Sequence, residues 1–160
     1  MYLLGYDKNI NKIEEYLMAE LAYMIFADQQ GSVGGDAQKG VVVTNPKTIL
    51  RPFSIPGYLS FSVVFSITDI DLSVTDHSFN FELKDEKGNI VSSMKSDTLK
   101  MMPDDNAKKI KVPSKFLGFN LGVTLENTVF QLEGIHKATV EFDGDLIGTK
   151  EIYVIAENTN

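Results

Sequence analysis

The chain of 160 residues contains no cysteine. That absence removes disulfides, thiolate nucleophiles, zinc–thiolate sites and iron–sulfur clusters together, and it suits a reducing compartment. Stability has to come from packing. Long apolar runs are missing as well: there is no stretch of about 18 apolar residues, the length a membrane-spanning helix needs. The opening Met1-Tyr-Leu-Leu-Gly-Tyr-Asp7 lacks the basic flank and apolar stretch of a secretion signal. The expectation is a cytoplasmic protein with no membrane partner. Positive charge is in deficit, with 15 Lys and Arg against 22 Asp and Glu, a net charge of −7. Such a surface opposes attraction to phosphate backbones and anionic lipid, so no nucleic-acid partner is expected. Histidine is scarce: only His77 and His136 offer neutral-pH acid–base chemistry or an imidazole ligand.

What is present is hydrophobic content, at 43% enough for one core in a chain of this length. Its period is two. Leu59, Phe61, Val63, Phe65 and Ile67 alternate with Ser60, Ser62, Val64, Ser66 and Thr68, which predicts a strand with one buried face. Phe79, Phe81 and Leu83 alternate in the same way, and Asp85-Glu-Lys-Gly-Asn89 supplies turn chemistry before Ile90-Val91, predicting a hairpin. Leu117, Phe119, Leu121, Val123 and Leu125 predict a further strand with glycine at two outward positions, 118 and 122. Ala138, Val140 and Phe142, the turn Asp143-Gly-Asp145, and Ile152-Tyr-Val-Ile155 predict a second hairpin. Leu21 to Phe26 is apolar on both faces and reads as a doubly covered strand. Gly31, Gly34, Gly35 and Gly40 with Asp36 and Gln38 read as a mobile loop. At the front, Asn11 stands three residues before Glu14 with Ile10, Ile13 and Leu17 at helical spacing, which predicts a short helix over 11–18. The expected fold is all-β: an antiparallel sandwich of about seven to nine strands over 19–157, with an N-terminal appendage at 1–18 and a tail at 158–160.

Several clusters invite chemistry. Asp69, Asp71 and Asp76, beside His77 and with Asp104 and Asp105 in a later segment, put oxygen ligands at one end of a sandwich, as calcium requires. Asp is equally a turn residue, through hydrogen bonds to its own backbone, and no calcium-loop pattern is present. In Gly34-Gly-Asp-Ala-Gln-Lys-Gly40 the lysine precedes the last glycine and no Ser or Thr follows, which excludes a P-loop. His136, in Gly134-Ile-His-Lys137, reads as an exposed edge or turn position. No triad or paired-acid motif is recognisable, so neither a catalytic residue nor a cofactor is expected. Lys100, Lys108, Lys109, Lys111 and Lys115 read as a solvated loop, since no aromatic interrupts them before Phe116. Asn45-Pro46 and Arg51-Pro52 bias the segment leading to Phe53 towards extended backbone, as a crossover between sheets or a partner-binding edge.

Four segments together resemble a group of small β-sandwich proteins from bacteria and their phages. They are Ala22-Tyr-Met-Ile-Phe-Ala-Asp28, Phe53-Ser-Ile-Pro-Gly57 leading into Phe61-Ser-Val-Val-Phe65, Asp85-Glu-Lys-Gly88, and Leu132-Glu-Gly-Ile135 before the closing hairpin. The resemblance implies a cytoplasmic protein of bacterial or phage origin and brings no catalytic residues with it. The functional expectation is a non-enzymatic module that binds another protein through an edge strand or its end loops, with homo-oligomerisation compatible with the same pattern. The alternative is a calcium- or small-ligand-binding sandwich using Asp69, Asp71 and Asp76.

Overall fold

The computed structural model describes residues 18–34, 36–71, 73–100 and 111–158, with backbone alone for 36–39. The segments with a two-residue period become strands: β1 Glu20–Val33, β2 Asp36–Lys47, β3 Ile49–Leu50, β4 Gly57–Thr68, β5 Asp76–Lys84, β6 Ile90–Lys100, β7 Gly118–Phe130, β8 Gly134–Phe142 and β9 Asp145–Val154. They form two sheets, β2-β1-β4-β7 and β3-β9-β8-β5-β6. The expected all-β sandwich is therefore present. Its one parallel pair is β3 with β9, made where the chain crosses from one sheet to the other after Lys47. The crossover is the proline-biased segment. The expected helix falls, apart from Met18, outside the described residues. No helix among the described residues is long and apolar enough to cross a membrane.

The glycine-containing segment expected as a loop is instead the hairpin of β1 and β2, in register from Phe26 opposite Lys47 to Ser32 opposite Val41. Ladder hydrogen bonds decide the conformation of glycine in a strand, and the freedom of glycine is used at the turn, by Gly34 with φ of 60°, and within β2, by Gly40 with φ of 125°.

The core lies between the sheets. Phe61, Val63, Phe65 and Ile67 of β4 face Phe79, Phe81 and Leu83 of β5, Ala138, Val140 and Phe142 of β8, and Ile152 and Val154 of β9. Phe65 stands edge-on to Phe79 and Phe81, with ring centres 5.2 and 5.4 Å away. Each such pair adds roughly 0.5–1.5 kcal/mol to the burial of its rings.

One expectation about β4 does not hold. Ser62, Val64 and Ser66, on the face turned away from the core, are also buried, and Val64 keeps only 1% of its surface. The cover comes from the neighbouring hairpin. Pairing of β1 with β4 ends at Ala27 opposite Ser62, whereas pairing of β1 with β2 continues to Ser32. Near the departure point Asn45 adopts a φ of 54° and its side-chain amide donates to the Asp28 carboxylate. The hairpin lies against β7, where the Gln30 side chain fills the space a Cβ on Gly122 would occupy. Ser62 and Thr124 share a hydrogen bond of 3.1 Å on this face, and Tyr23 Oη donates to Asn120 Oδ1 at 2.9 Å across it.

A charge at position 64 has nowhere to go in such a packing. Val64→Lys is expected to lower the unfolding free energy by more than about 3 kcal/mol, against about 0.5 kcal/mol or less for Ser93→Lys on exposed β6, as measured by urea denaturation.

Candidate functional site

Both histidines sit in the core-facing phase of their strands. His77 opens β5 in phase with Phe79 and Phe81, and His136 in β8 is in phase with Ala138 and Val140. They retain 2% and 0% of their surface, so the exposed position expected for His136 is not found. Burial follows from Phe130, which meets its ring edge-on at 5.6 Å. The register of β5 with β8 places the two histidines at opposite ends of the sheet, so they do not form one centre.

His77 stacks on Phe142 at 4.9 Å. Its Nδ1 lies 2.7 Å from Asp143 Oδ2 and its Nε2 3.2 Å from the Val74 carbonyl oxygen. Both ring nitrogens thus face protein oxygen atoms. Asp143 completes a clamp: Ser78 N donates to its Oδ1 at 2.9 Å, and its own N donates to Ser78 O at 3.0 Å. A His–Asp pair evokes general-base catalysis, but a base needs its distal nitrogen on the proton to be removed. Here that nitrogen is on a main-chain carbonyl. The pair pins Val74, before β5, to the turn between β8 and β9. His136 donates from Nδ1 to Gly134 O at 3.2 Å, while its buried Nε2 has no partner among the described residues.

The aspartates of the sequence cluster have different surroundings. Asp69, just after β4, has φ of 57°, donates from N to Leu117 O at 3.0 Å, and keeps Oδ1 buried without a partner among the described residues. Asp71 Oδ1 is occupied by Ser73, whose N and Oγ donate to it at 2.9 and 2.6 Å. These two bonds hold the Asp71 carboxyl below the usual carboxylate range, the hydroxyl having the larger effect. Asp76 lies at the start of β5, opposite Lys100 of β6. No group of three or more His, Asp or Glu able to hold a metal ion occurs among the described residues.

At the other end, Asp85 organises the turn between β5 and β6. Its Oδ1 accepts from Lys87 N and Asn89 N, each at 2.9 Å, and its Oδ2 from Asn89 Nδ2 at 3.0 Å. The Asn89 side-chain amide, aided by the two backbone donors and opposed by desolvation, holds this carboxyl below its ordinary value. The same end is stitched by Glu86 Oε1 to Ile135 N at 2.9 Å and Glu133 Oε1 to Ala156 N at 3.0 Å. Ile155 N and Glu157 N donate to Leu50 O and Pro52 O, at 3.1 and 2.8 Å, tying down the start of the 51–56 loop.

On this stitched end the molecule displays apolar side chains. Tyr58 of β4 is opposite Val129 of β7 on the outer face of the four-stranded sheet, and Tyr58 is 71% exposed. Ile49, Tyr153 and Ile135 form a row across β3, β9 and β8 on the outer face of the other sheet, all exposed. Phe53, 70% exposed, stands in the loop between β3 and β4. That loop carries a cis Ile55–Pro56 bond and is braced by Ser54 Oγ donating to Pro56 O at 3.0 Å. Gly57 is needed where its Cβ would run into the Ser54 carbonyl. The sequence pattern singles out Phe53 but not the row. Its signal was an apolar residue out of phase with the core, as Tyr153 is between Ile152 and Val154.

Two shallow grooves are present. One, of about 460 Å³, runs over the outer face of β5, β6 and β8, lined by Asn80, Glu82, Lys95, Asp97 and Glu141. The other, of about 300 Å³, lies by the crossover, between Asp28, Lys47, Arg51 and Leu59. Neither includes a histidine, and several of their polar groups are paired with each other: Asn80 donates to Glu141, Lys95 meets Asp97, and Lys47 meets Asp28.

No protein-family model matches the chain, and no curated protein matches it. Among solved structures, an immunoglobulin-like protein from Pseudomonas aeruginosa aligns over 86% of this chain and 97% of its own, at 12% identity and a TM-score of 0.41. The Pseudomonas fluorescens alkylpurine DNA glycosylase AlkC, solved with DNA containing an abasic-site analogue, aligns over 85% of this chain at 6% identity and a TM-score of 0.39; this chain spans 30% of that one. The functional reading rests on this chain's own surfaces.

Two measurements follow from the carboxylates. Because the folded-state value of Asp85 is depressed, its contribution to stability is complete above its unfolded value of about 3.9 and is lost as pH falls through the folded value. Asp85→Asn is therefore expected to destabilise the protein at pH 7, and the gap to the wild type should shrink as urea midpoints are followed below about pH 4. Calcium at millimolar concentration is expected to leave the melting temperature unchanged, since Asp71 is already satisfied by Ser73. A rise that Asp71→Asn abolishes would establish Asp69, Asp71 and Asp76 as a metal site.

Proposed function

We propose that this protein is a non-catalytic protein-interaction module that engages a protein partner through the apolar end of the sandwich. The observation that carries this reading is the exposure of Phe53, Tyr58, Val129, Ile49, Tyr153 and Ile135 around one end, held by strand register and by the stitched loop beneath them. Leaving these side chains in water forgoes roughly 25 cal/mol for each Å² of apolar surface that a partner would cover. Aromatic side chains on a rigid base lose little entropy on binding and are the residues that dominate protein interfaces. The buried histidines, absent from either groove, favour binding over catalysis.

Affinity capture with the full chain, compared with a Phe53→Ser, Tyr58→Ser and Tyr153→Ser variant, tests the reading. All three positions are exposed, so the variant should melt as the wild type does. A stoichiometric protein partner retained by the wild type and reduced at least about tenfold by the variant is expected. Equal retention of the same partner by both would remove the apolar end from the reading.

A further inference from the structure

The four sheet edges are not alike. β2 carries Pro46 and Lys47, β3 has two residues, and β6 carries Lys95, Asp97 and Lys100. Proline, charge and shortness are the devices by which an edge avoids pairing with another chain. β7 has none of them over its regular part. From Gly118 to Leu125 it holds no charge and no proline, pairs with β4 in unbroken register from Thr68 opposite Gly118 to Phe61 opposite Leu125, and has no strand on its other side among the described residues. The bulge comes only afterwards, where Asn127 takes φ of 51°.

This stretch also reads the same in both directions in chemical kind. About Gly122 the sequence places Leu121 against Val123, Asn120 against Thr124, and Phe119 against Leu125. Two copies paired antiparallel about a two-fold axis at Gly122 would set exactly these residues opposite one another, because an antiparallel pair joins residues equally far from its centre. Leu121, Val123 and Phe119, only partly buried at the open side of the core, would gain aliphatic and aromatic partners. Asn120 and Thr124, exposed on the other face, would gain polar ones. Gln30 already fills the space over Gly122 on that face, so the two glycines would meet along their backbones. The absence of charge matters in a chain of net charge −7, because this edge brings no like charges face to face.

We propose that β7 is the seam of a homodimer, in which two four-stranded sheets join into one continuous eight-stranded sheet. This surface is separate from the apolar end, so each reading stands or falls by itself. Analytical ultracentrifugation of the full chain across the micromolar range is expected to show twice the monomer mass. Asn120→Lys with Thr124→Lys puts lysine opposite lysine twice across the seam, and Asn120→Glu with Thr124→Glu does the same with glutamate. Each variant alone should dissociate at a concentration at least about tenfold higher than the wild type. An equimolar mixture of the two should recover the dimer, because pairing 120 of one variant with 124 of the other sets lysine opposite glutamate at both contacts. Independently of any variant, amide exchange over 118–125 in the wild type should slow as concentration rises. A wild type that is monomeric throughout, a dimer that both variants leave intact, or a mixture no tighter than its components would each overturn the proposal.

Discussion

The contact on which the rest of the architecture depends is that of Phe65 with Phe79 and Phe81. Phe65 belongs to β4, flanked by β1 and β7 within its sheet, while Phe79 and Phe81 belong to β5, flanked by β6 and β8 in the other. The two inner faces are thus keyed at their centres by edge-on rings. Phe61 extends the key towards Phe26 and Phe130, at 5.9 and 6.1 Å. With β4 held on its inner face, small residues on its outer face become useful. Ser62 and Ser66 there, with Gly122 beside them on β7, let the hairpin of β1 and β2 lie close enough to bury Val64. β4 is thereby a core strand on both sides in a sheet whose sequence pattern suggests one. A link between the layers outside the core is Lys150 of β9, which donates to the Met24 carbonyl of β1 at 2.6 Å.

The parts legible in the sequence were those governed by neighbours along the chain. Alternation between Leu59 and Ile67 identifies a strand and its inner face, and Asp85 to Asn89 carries a turn in its own side chains, because these depend on backbone period and local hydrogen bonds. The burial of Val64 was not legible, since it depends on a hairpin some 30 residues away in sequence folding over it. The glycines from 31 to 40 misled for a related reason: glycine marks permitted conformations, and the register of β1 with β2 decides which is used. His136 was legible and misread. It shares the phase of Ala138, Val140 and Phe142, and that phase outranks the ordinary preference of histidine for partial exposure.

The polar groups that most resemble catalytic parts are spent on holding ends together. His77 and Asp143 clamp the loop before β5 to the turn after β8, and Asp71 closes its own turn through Ser73. At the opposite end Asp85, Glu86 and Glu133 each accept main-chain N–H groups that loops would otherwise leave unpaired. This use of carboxylates suits a chain without cysteine: where disulfides cannot staple the loops, charge-assisted hydrogen bonds to backbone do so. At that same end Phe53 and Tyr58 stand exposed to solvent.

The seam and the apolar end are related by geometry. In an antiparallel pair centred on Gly122, each Val129 lies seven residues from the axis, in opposite directions. At about 3.3 Å per residue the two are roughly 45 Å apart. The paired molecule therefore carries two identical apolar ends at opposite poles, each clear of the joint. A partner with a single site would bind it twice and independently. A partner with repeated sites at that spacing would be held by both ends, and the second contact would form at an effective concentration set by the rigid sheet rather than by diffusion. An uncharged edge and an exposed aromatic end, each a liability in an isolated acidic domain, then have a common rationale: the edge doubles the end.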